Sequence, residues 1–396
     1  NNLAGDGGGR RFAMKNKSGG HRRNKSARNE AAAGNKNGRR RRNLNAMQKS
    51  ARNGAAAGNG DRLSNLPNDL LLNILERVDT LDAIRTCILS KQMLNLPTMF
   101  SQFFLSAGSV PGHHDKARVF SRGEVLRTNN AVARVTDSIL CTRNPKIAIT
   151  KLKIRFVLMP HVSLTIGRSV ARAMATQKVG AAEFEIITKK AYSDCSSADL
   201  VQFANQLNNF VGAFPDAFAG LRRLWLRNMR FAELDIANIL STCKLLASLR
   251  LTECDSGIDS VLQVEHAQLV EIEVDYGEFA RVELTCLPKL QRVRYNNWYS
   301  YGDPLYFGFV PQLSKLSLAK TGVRSEKTLE LSQLLANVPN ISNLHLDFES
   351  EKIWVLPECP KLLTPVLSKL QHVNLDNLPE GCDLAWTMFI LEAAPA

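Results

Sequence analysis

Leu221 to Leu226 reads LRRLWL, Leu246 to Leu251 reads LASLRL, and Leu269 to Val274 reads LVEIEV. Each string is apolar at its first, fourth and sixth positions. The pattern returns at Leu290 (LQRVRY), Leu313 (LSKLSL), Ile341 (ISNLHL) and Leu370 (LQHVNL), at successive offsets of 25, 23, 21, 23, 28 and 29 residues. Weaker copies start at Ile149 (ITKLKI) and Ala181 (AAEFEI), with wider separations of 32 and 40 residues. Side chains alternate along an extended strand, so the fourth and sixth positions share one face and the third, fifth and seventh share the other.

One such string carries little information, but seven at near-regular spacing are the leucine-rich-repeat signature, L-x-x-L-x-L. Leu246, Leu249, Leu251 and Cys254 extend it to L-x-x-L-x-L-x-x-C. Each unit buries its apolar side only by stacking on its neighbours, with the return segment folding back behind the strand. Between strands, Phe231 to Cys243 and Thr328 to Asn337 have helical patterning. The expected class is α/β, a solenoid with a curved parallel sheet over residues 149–396. Its last return segment, Leu384 to Ala396, is expected to leave Trp386, Phe389, Ile390 and Leu391 only partly covered, as an incomplete final repeat.

Upstream, Asp61 to Gln92 reads DRLSNLPNDLLLNILERVDTLDAIRTCILSKQ. Asn68 or Asp69 can cap one amphipathic helix, and Thr80 can cap a second. Leu70, Leu71, Ile74, Leu75, Ile84 and Ile88 then offer more apolar surface than two short helices can bury, with Leu66 and Pro67 at the entry. These eight residues are the candidate surface for a partner protein. Residues 61–105 are expected to form this helical unit, and 106–148 an irregular linker.

The same stretch resembles the F-box of plant F-box/leucine-rich-repeat proteins, in which D-R-x-S-x-L-P-x-D-x-L-x-x-I-L is followed by D-A-x-R-T-x-x-L-S-K. Asp61, Arg62, Ser64, Leu66, Pro67, Asp69, Leu71, Ile74, Leu75, Asp82, Ala83, Arg85, Thr86, Leu89, Ser90 and Lys91 all match. Downstream, IWVLPECPKLL and SKLQHVNLDNLPEG are similar to the grass members, so the resemblance covers roughly residues 61 to 396. It implies a non-catalytic substrate-recognition adaptor of a ubiquitin ligase: the F-box binds a Skp-type adaptor, through it a cullin and a RING subunit, and the repeats bind a protein substrate. The family continues S-K-R-W-R-x-L-W. Here Met93 and Pro97 stand at the aromatic positions.

The charge of the chain is local. Its formal net charge is +14, yet residues 1–60 hold 15 Lys and Arg against only Asp6 and Glu30. This Gly-, Asn-, Arg- and Ala-rich stretch has too few large apolar residues to offset chain entropy and is expected to be a disordered basic tail. Within it KSARNEAAAGN, from Lys25, recurs as KSARNGAAAGN, from Lys49. Arg39 to Arg42 can serve as a nuclear import signal or as a weak contact to nucleic acid, and the alternative function is a repeat scaffold that binds RNA or other polyanions through this arm.

No enzyme motif or metal-ligand spacing occurs, so no catalytic, cofactor-binding or metal-binding residue is expected. The eight cysteines are scattered without a C-x-x-C pair and read as reduced thiols. His113, His114 and Asp115 form an isolated cluster beside Pro111-Gly112, read as an exposed loop. No apolar run is long enough to span a bilayer, and a cytoplasmic or nuclear location is expected. The candidate substrate surface is Arg223, Trp225 and Arg227, outward positions on a strand with no acidic row to match; the next strands, with Glu271, Glu273 and Asp275 between Arg250 and the pair Arg292 and Arg294, are expected to neutralise one another.

Overall fold

From the unit at Leu221 to the one at Ile341 the apolar fourth and sixth positions turn inward and form continuous buried rows, and in the last unit Val373 and Leu375 are half-buried. Leu224, Leu249, Ile272, Val293, Leu316 and Leu344 align in one row, and Leu226, Leu251, Val274, Tyr295, Leu318 and Leu346 in the next. The computed structural model describes residues 66–107, 121–142, 146–176, 179–298, 302–320, 328–350 and 352–394. The basic tail and the His113–His114–Asp115 cluster lie outside the described residues.

Ten parallel strands form the main sheet: β1 (Gln102–Ser106), β2 (Lys151–Val157), β3 (Ala182–Ile187), β4 (Leu221–Arg230), β5 (Ser248–Asp255), β7 (Glu271–Asp275), β9 (Arg292–Asn296), β11 (Lys315–Ala319), β12 (Asn343–Asp347) and β13 (His372–Asp376). They stand in chain order. Between them run β6 (Val261–Glu265), β8 (Arg281–Cys286) and β10 (Leu305–Phe309), which form a second, three-stranded parallel sheet. The return segments of the central units are therefore strands, whereas those on either side are helices. Helices Arg122–Thr142, Pro160–Thr176, Ser197–Ala213 and Asp235–Thr242 belong to the first half, and Leu331–Leu334 and Pro360–Leu367 to the last units.

A bend recurs at or near the ends of five strands, β4, β5, β7, β9 and β13. Asn228, Glu253, Tyr276, Asn297 and Asn377 all have φ between 50° and 57°, and each is the eighth residue of its unit. Asparagine tolerates this left-handed conformation better than most residues. Asn228 is held there by Nδ2, which donates to Thr188 Oγ1 at 3.0 Å and to the Lys190 carbonyl at 2.9 Å.

Two aromatic clusters fill the ends of the core. Phe156, Phe184, Phe210, Phe214 and Phe218 pack behind β2 to β4 with ring centroids 5.0 to 6.3 Å apart, mostly edge to face. Trp298, Trp354, Phe348, Trp386 and Phe389 form a chain at the other end, at 5.0 to 5.5 Å. This corrects the expectation for the last segment. Phe389 and Ile390 are buried and Trp386 is half-buried against Phe348; only Leu391 stays exposed.

The sheet also begins earlier than the periodicity places it. Strand β1 lies inside the stretch assigned to the helical unit, and the supposed linker contains the 21-residue helix Arg122–Thr142, which packs on β1, β2 and helix Pro160–Thr176. Helix Asn68–Leu75 starts after Pro67 without a side-chain cap, and helix Thr80–Ile88 is capped by Asp79 Oδ1, which accepts from Leu81 N at 2.8 Å, not by Thr80. Thr80 has another partner. The outward amides of edge strand β1 need acceptors: Phe104 N donates to Thr80 Oγ1 at 2.8 Å, Ser106 N to Asp79 Oδ2 at 3.0 Å, and Ser101 N and Gln102 N to Glu76 Oε1.

Thr80→Val keeps the side-chain shape and removes the acceptor at a buried position. The expected cost is about 1–3 kcal/mol, the penalty of a buried donor left unpaired. Native-state hydrogen exchange is expected to show the Phe104 amide opening faster by a matching factor; an unchanged rate would contradict the capping role.

Candidate functional site

Helices Asn68–Leu75 and Thr80–Ile88 are followed by a single 3₁₀ turn, Leu96–Met99, before β1. Leu71, Leu75, Ala83, Cys87, Met93, Leu96 and Phe100 point into the shared core. Outside, Leu70 and Ile74 lie one turn apart at 52% and 45% exposure, and Ile88 and Leu89 are 66% and 86% exposed. Leu94 and Met99 are also open. So many large apolar side chains on a short segment constitute an unpartnered surface of the kind that marks an association site.

The open face of the main sheet is a ladder of charged side chains in register. Along one row stand Lys153, Glu183, Arg223, Ser248, Glu271, Arg292, Lys315, Asn343 and His372; along the next, Arg155, Glu185, Trp225, Arg250, Glu273, Arg294, Ser317, His345 and Asn374. Opposite charges meet across neighbouring strands: Arg155 to Glu185 at 3.0 Å, Lys153 to Glu185 at 3.4 Å, Arg250 to Glu273 at 3.3 Å, Arg292 to Glu271 at 3.2 Å and Arg294 to Glu273 at 3.5 Å. Beyond β9 the alternation stops. Lys315 follows Arg292 directly, and no acidic group among the described residues pairs with it.

On the last three strands, His345 Nδ1 lies 2.8 Å from Ser317 Oγ and its Nε2 lies 2.9 Å from Asp376 Oδ2. These residues are 28 and 31 positions apart in the chain and meet only because the strands stack in register. A groove of about 420 Å³ runs over β7 to β13, with Arg292, Arg294, Lys315, His345 and His372 among its lining. Elsewhere, burial pushes the Cys243 and Cys254 thiols up to about 12, which keeps both protonated near neutral pH and poor nucleophiles. All eight cysteines are free thiols. Among the described residues no group of three or more His, Cys, Asp or Glu is placed to hold a metal ion, and no helix is long and apolar enough to cross a membrane.

A comparison with protein-family models matches the F-box domain over residues 63–104. The chain carries an F-box. Its matched region runs from the first helix into β1, so the last residues of the F-box are also the first strand of the sheet. No curated protein matches the chain.

The F-box places the eight expected contact residues in three environments. Pro67, Leu70, Ile74 and Ile88 are exposed, and Leu66 and Ile84 are half-buried. Leu71 and Leu75 correct the expectation: their side chains are 0% and 4% exposed, because the sheet edge packs under the F-box and claims that helix face. Met93 and Pro97, where the resemblance expected aromatics, lie at and beside the 3₁₀ turn; Met93 is buried, and Phe100 supplies an aromatic side chain to the same core.

The Trp225 strand is corrected as well. It does have acidic partners, on β3 and at the end of β5. Arg223 lies 3.6 Å from Glu183, and Arg227 Nε donates to Glu253 at 2.7 Å. Trp225 is half-buried, with the Arg250 guanidinium 4.3 Å above its ring and Arg155 at 5.9 Å, and its Nε1 donates to Thr252 Oγ1 at 2.9 Å. Sequence reasoning missed Glu183 because Ala181 to Ile186 matches the repeat only weakly, and Glu253 because it lies past the six-residue pattern of its unit, at the left-handed position. It also missed Lys315, His345 and His372, which the same row alignment extended by three units would have found.

Trp225→Ala is expected to destabilise the fold by about 2 kcal/mol, below the roughly 3–5 kcal/mol of a fully buried aromatic because the ring is only half-buried. Trp225→Phe retains the ring beneath Arg250 and should recover part of this. Thermal unfolding of both variants checks it; an unchanged midpoint for the alanine variant would return Trp225 to the candidates for recognition.

Proposed function

We propose that this chain is the substrate-recognition subunit of a Skp–cullin–F-box ubiquitin ligase, cytoplasmic or nuclear, with no catalytic chemistry of its own. The F-box engages a Skp-type adaptor, which connects to the cullin and RING subunits. The strand units form a leucine-rich-repeat solenoid of the plant F-box type, and its open sheet face selects a protein for ubiquitination. The observation that carries this reading is the outward apolar set of the matched F-box, Leu70, Ile74, Ile88 and Leu89, which nothing else among the described residues covers.

The join between the two parts fits this role. Glu76, Asp79 and Thr80 of the F-box bond the backbone of β1, so adaptor-binding and substrate-binding surfaces belong to one continuous structure with no flexible hinge between β1 and the F-box helices. A ligase subunit of this kind holds its substrate at a set distance from the transferring enzyme.

Leu70→Asp with Ile88→Asp is expected to abolish capture of a Skp-type adaptor in pull-down, since charged side chains in an apolar interface centre cost about 2 kcal/mol or more each. The fold should survive, because both side chains face solvent. Leu71→Ala should act in the opposite way, lowering stability through a core cavity. Retention of adaptor by the double aspartate variant would refute the assignment of this face.

A further inference from the structure

Across β2 to β9 the open sheet face neutralises itself. Every basic residue in the two outward rows there has an acid across the strand gap: Lys153 and Arg155 on Glu185, Arg223 on Glu183, Arg250 and Arg294 on Glu273, and Arg292 on Glu271. The pattern breaks at β11. Lys315 lies in register with Arg292 on one side and Asn343 on the other, and the next outward residue in that row is His372. This break coincides with the 420 Å³ groove, so surplus positive charge and concavity occur at the same place.

We infer that the groove over β9 to β13 binds an extended acidic peptide segment of a partner protein, through Lys315 and His372 together with Arg292 and Arg294, whose half-exposed guanidinium groups reach the groove beside their contacts to Glu271 and Glu273. This deepens the proposed function by naming the chemistry of its substrate, and it rests on that reading.

Two features favour a peptide. Neighbouring strands stand about 4.8 Å apart, so the groove from β7 to β13 is about 19 Å across, the length of about six extended residues. Carboxylates on alternate residues of such a chain recur at about 6.8 Å, within reach of long Arg and Lys side chains projecting from neighbouring strands. The groove is also bounded by acid. Glu271 lines it at β7 with Glu273 two residues further along the same strand, and Asp347 and Asp376 stand at the far ends of β12 and β13, so a short anionic stretch fits where a long polyanion would be repelled.

Nucleic acid is the less favoured occupant. The outward residues of β9, β11, β12 and β13 are Arg292, Arg294, Asn296, Lys315, Ser317, Asn343, His345, Asp347, His372, Asn374 and Asp376, with no Phe, Tyr or Trp on which bases could stack. The Ser317–His345–Asp376 chain has a distinct part in this scheme. It ties three strands together along the groove floor and holds the His345 ring in place, which leaves Arg294, Lys315 and His372 to meet the ligand.

The test is fluorescence anisotropy on the full chain with a labelled ten-residue peptide rich in Asp and Glu, its Asn and Gln counterpart, and a single-stranded RNA of similar charge. Because residues 1–60 are themselves basic, the decisive quantity is the difference between the natural chain and Lys315→Glu with Arg294→Glu, both exposed positions. The expected result is a loss of about tenfold or more in acidic-peptide affinity for the double variant, no binding of the neutral peptide, and little change for Arg223→Glu at the other end of the face. Equal affinity in natural and double-variant chains would overturn the proposal, as would RNA competing at equal strength for the same sites. Adaptor pull-down on the same samples separates the two readings: a double variant that keeps the adaptor but loses the peptide supports both. If the natural chain binds the peptide but no adaptor, the ligase reading alone fails.

Discussion

An open parallel sheet ends in a strand whose outward amides have no neighbour, and the whole sheet depends on how that edge is closed. Here the F-box closes it. Glu76, Asp79 and Thr80 sit within five residues of one another, at the end of the first F-box helix and the start of the second, and they accept from Ser101, Gln102, Phe104 and Ser106. Phe103 and Leu105 turn inward from the same strand and join the core under Leu71 and Leu75. A repeat array needs a distinct first unit to cover its end. In this chain the segment that caps the sheet is the one that matches the F-box, residues 63–104.

That economy explains the division of labour within the F-box helices. One face of helix Asn68–Leu75 belongs to the sheet edge, through Leu71 and Leu75, and the opposite face, through Leu70 and Ile74, is left open. The apolar residues that seemed too many for two helices are shared between an internal and an external surface. The charged ladder follows a similar logic. With one residue pair per strand gap, opposite charges alternating from β2 to β9 keep the open face soluble and in register, each exposed pair contributing little by itself. Where the alternation ends, the surface becomes capable of holding something else.

Much of this was legible in the sequence. The seven clear units each became a strand of the main sheet, because a 1-4-6 apolar pattern in stacked units has only one arrangement that buries it. The helices around Asp235–Thr242 and Leu331–Leu334 were visible for the same reason. What remained hidden depended on contacts between distant residues. Strand β1, QFFLS, lacks the repeat pattern, and its strand character comes from pairing with β2 and from acceptors some 25 residues upstream. Glu183, the partner of Arg223, sat in an irregular unit, and the partners of His345 lie 28 and 31 residues away. The return strands β6, β8 and β10 are short and were not separable from loop by periodicity alone.

In the proposed function the F-box presents its outer face to an adaptor while its inner face caps the sheet. Hydrogen exchange of the full chain with and without a Skp-type adaptor tests it most directly. Added protection is expected in residues 67–75 and 84–94, with the amides of β4 to β13 unchanged. Protection confined to the sheet strands, or none within the F-box, would contradict it.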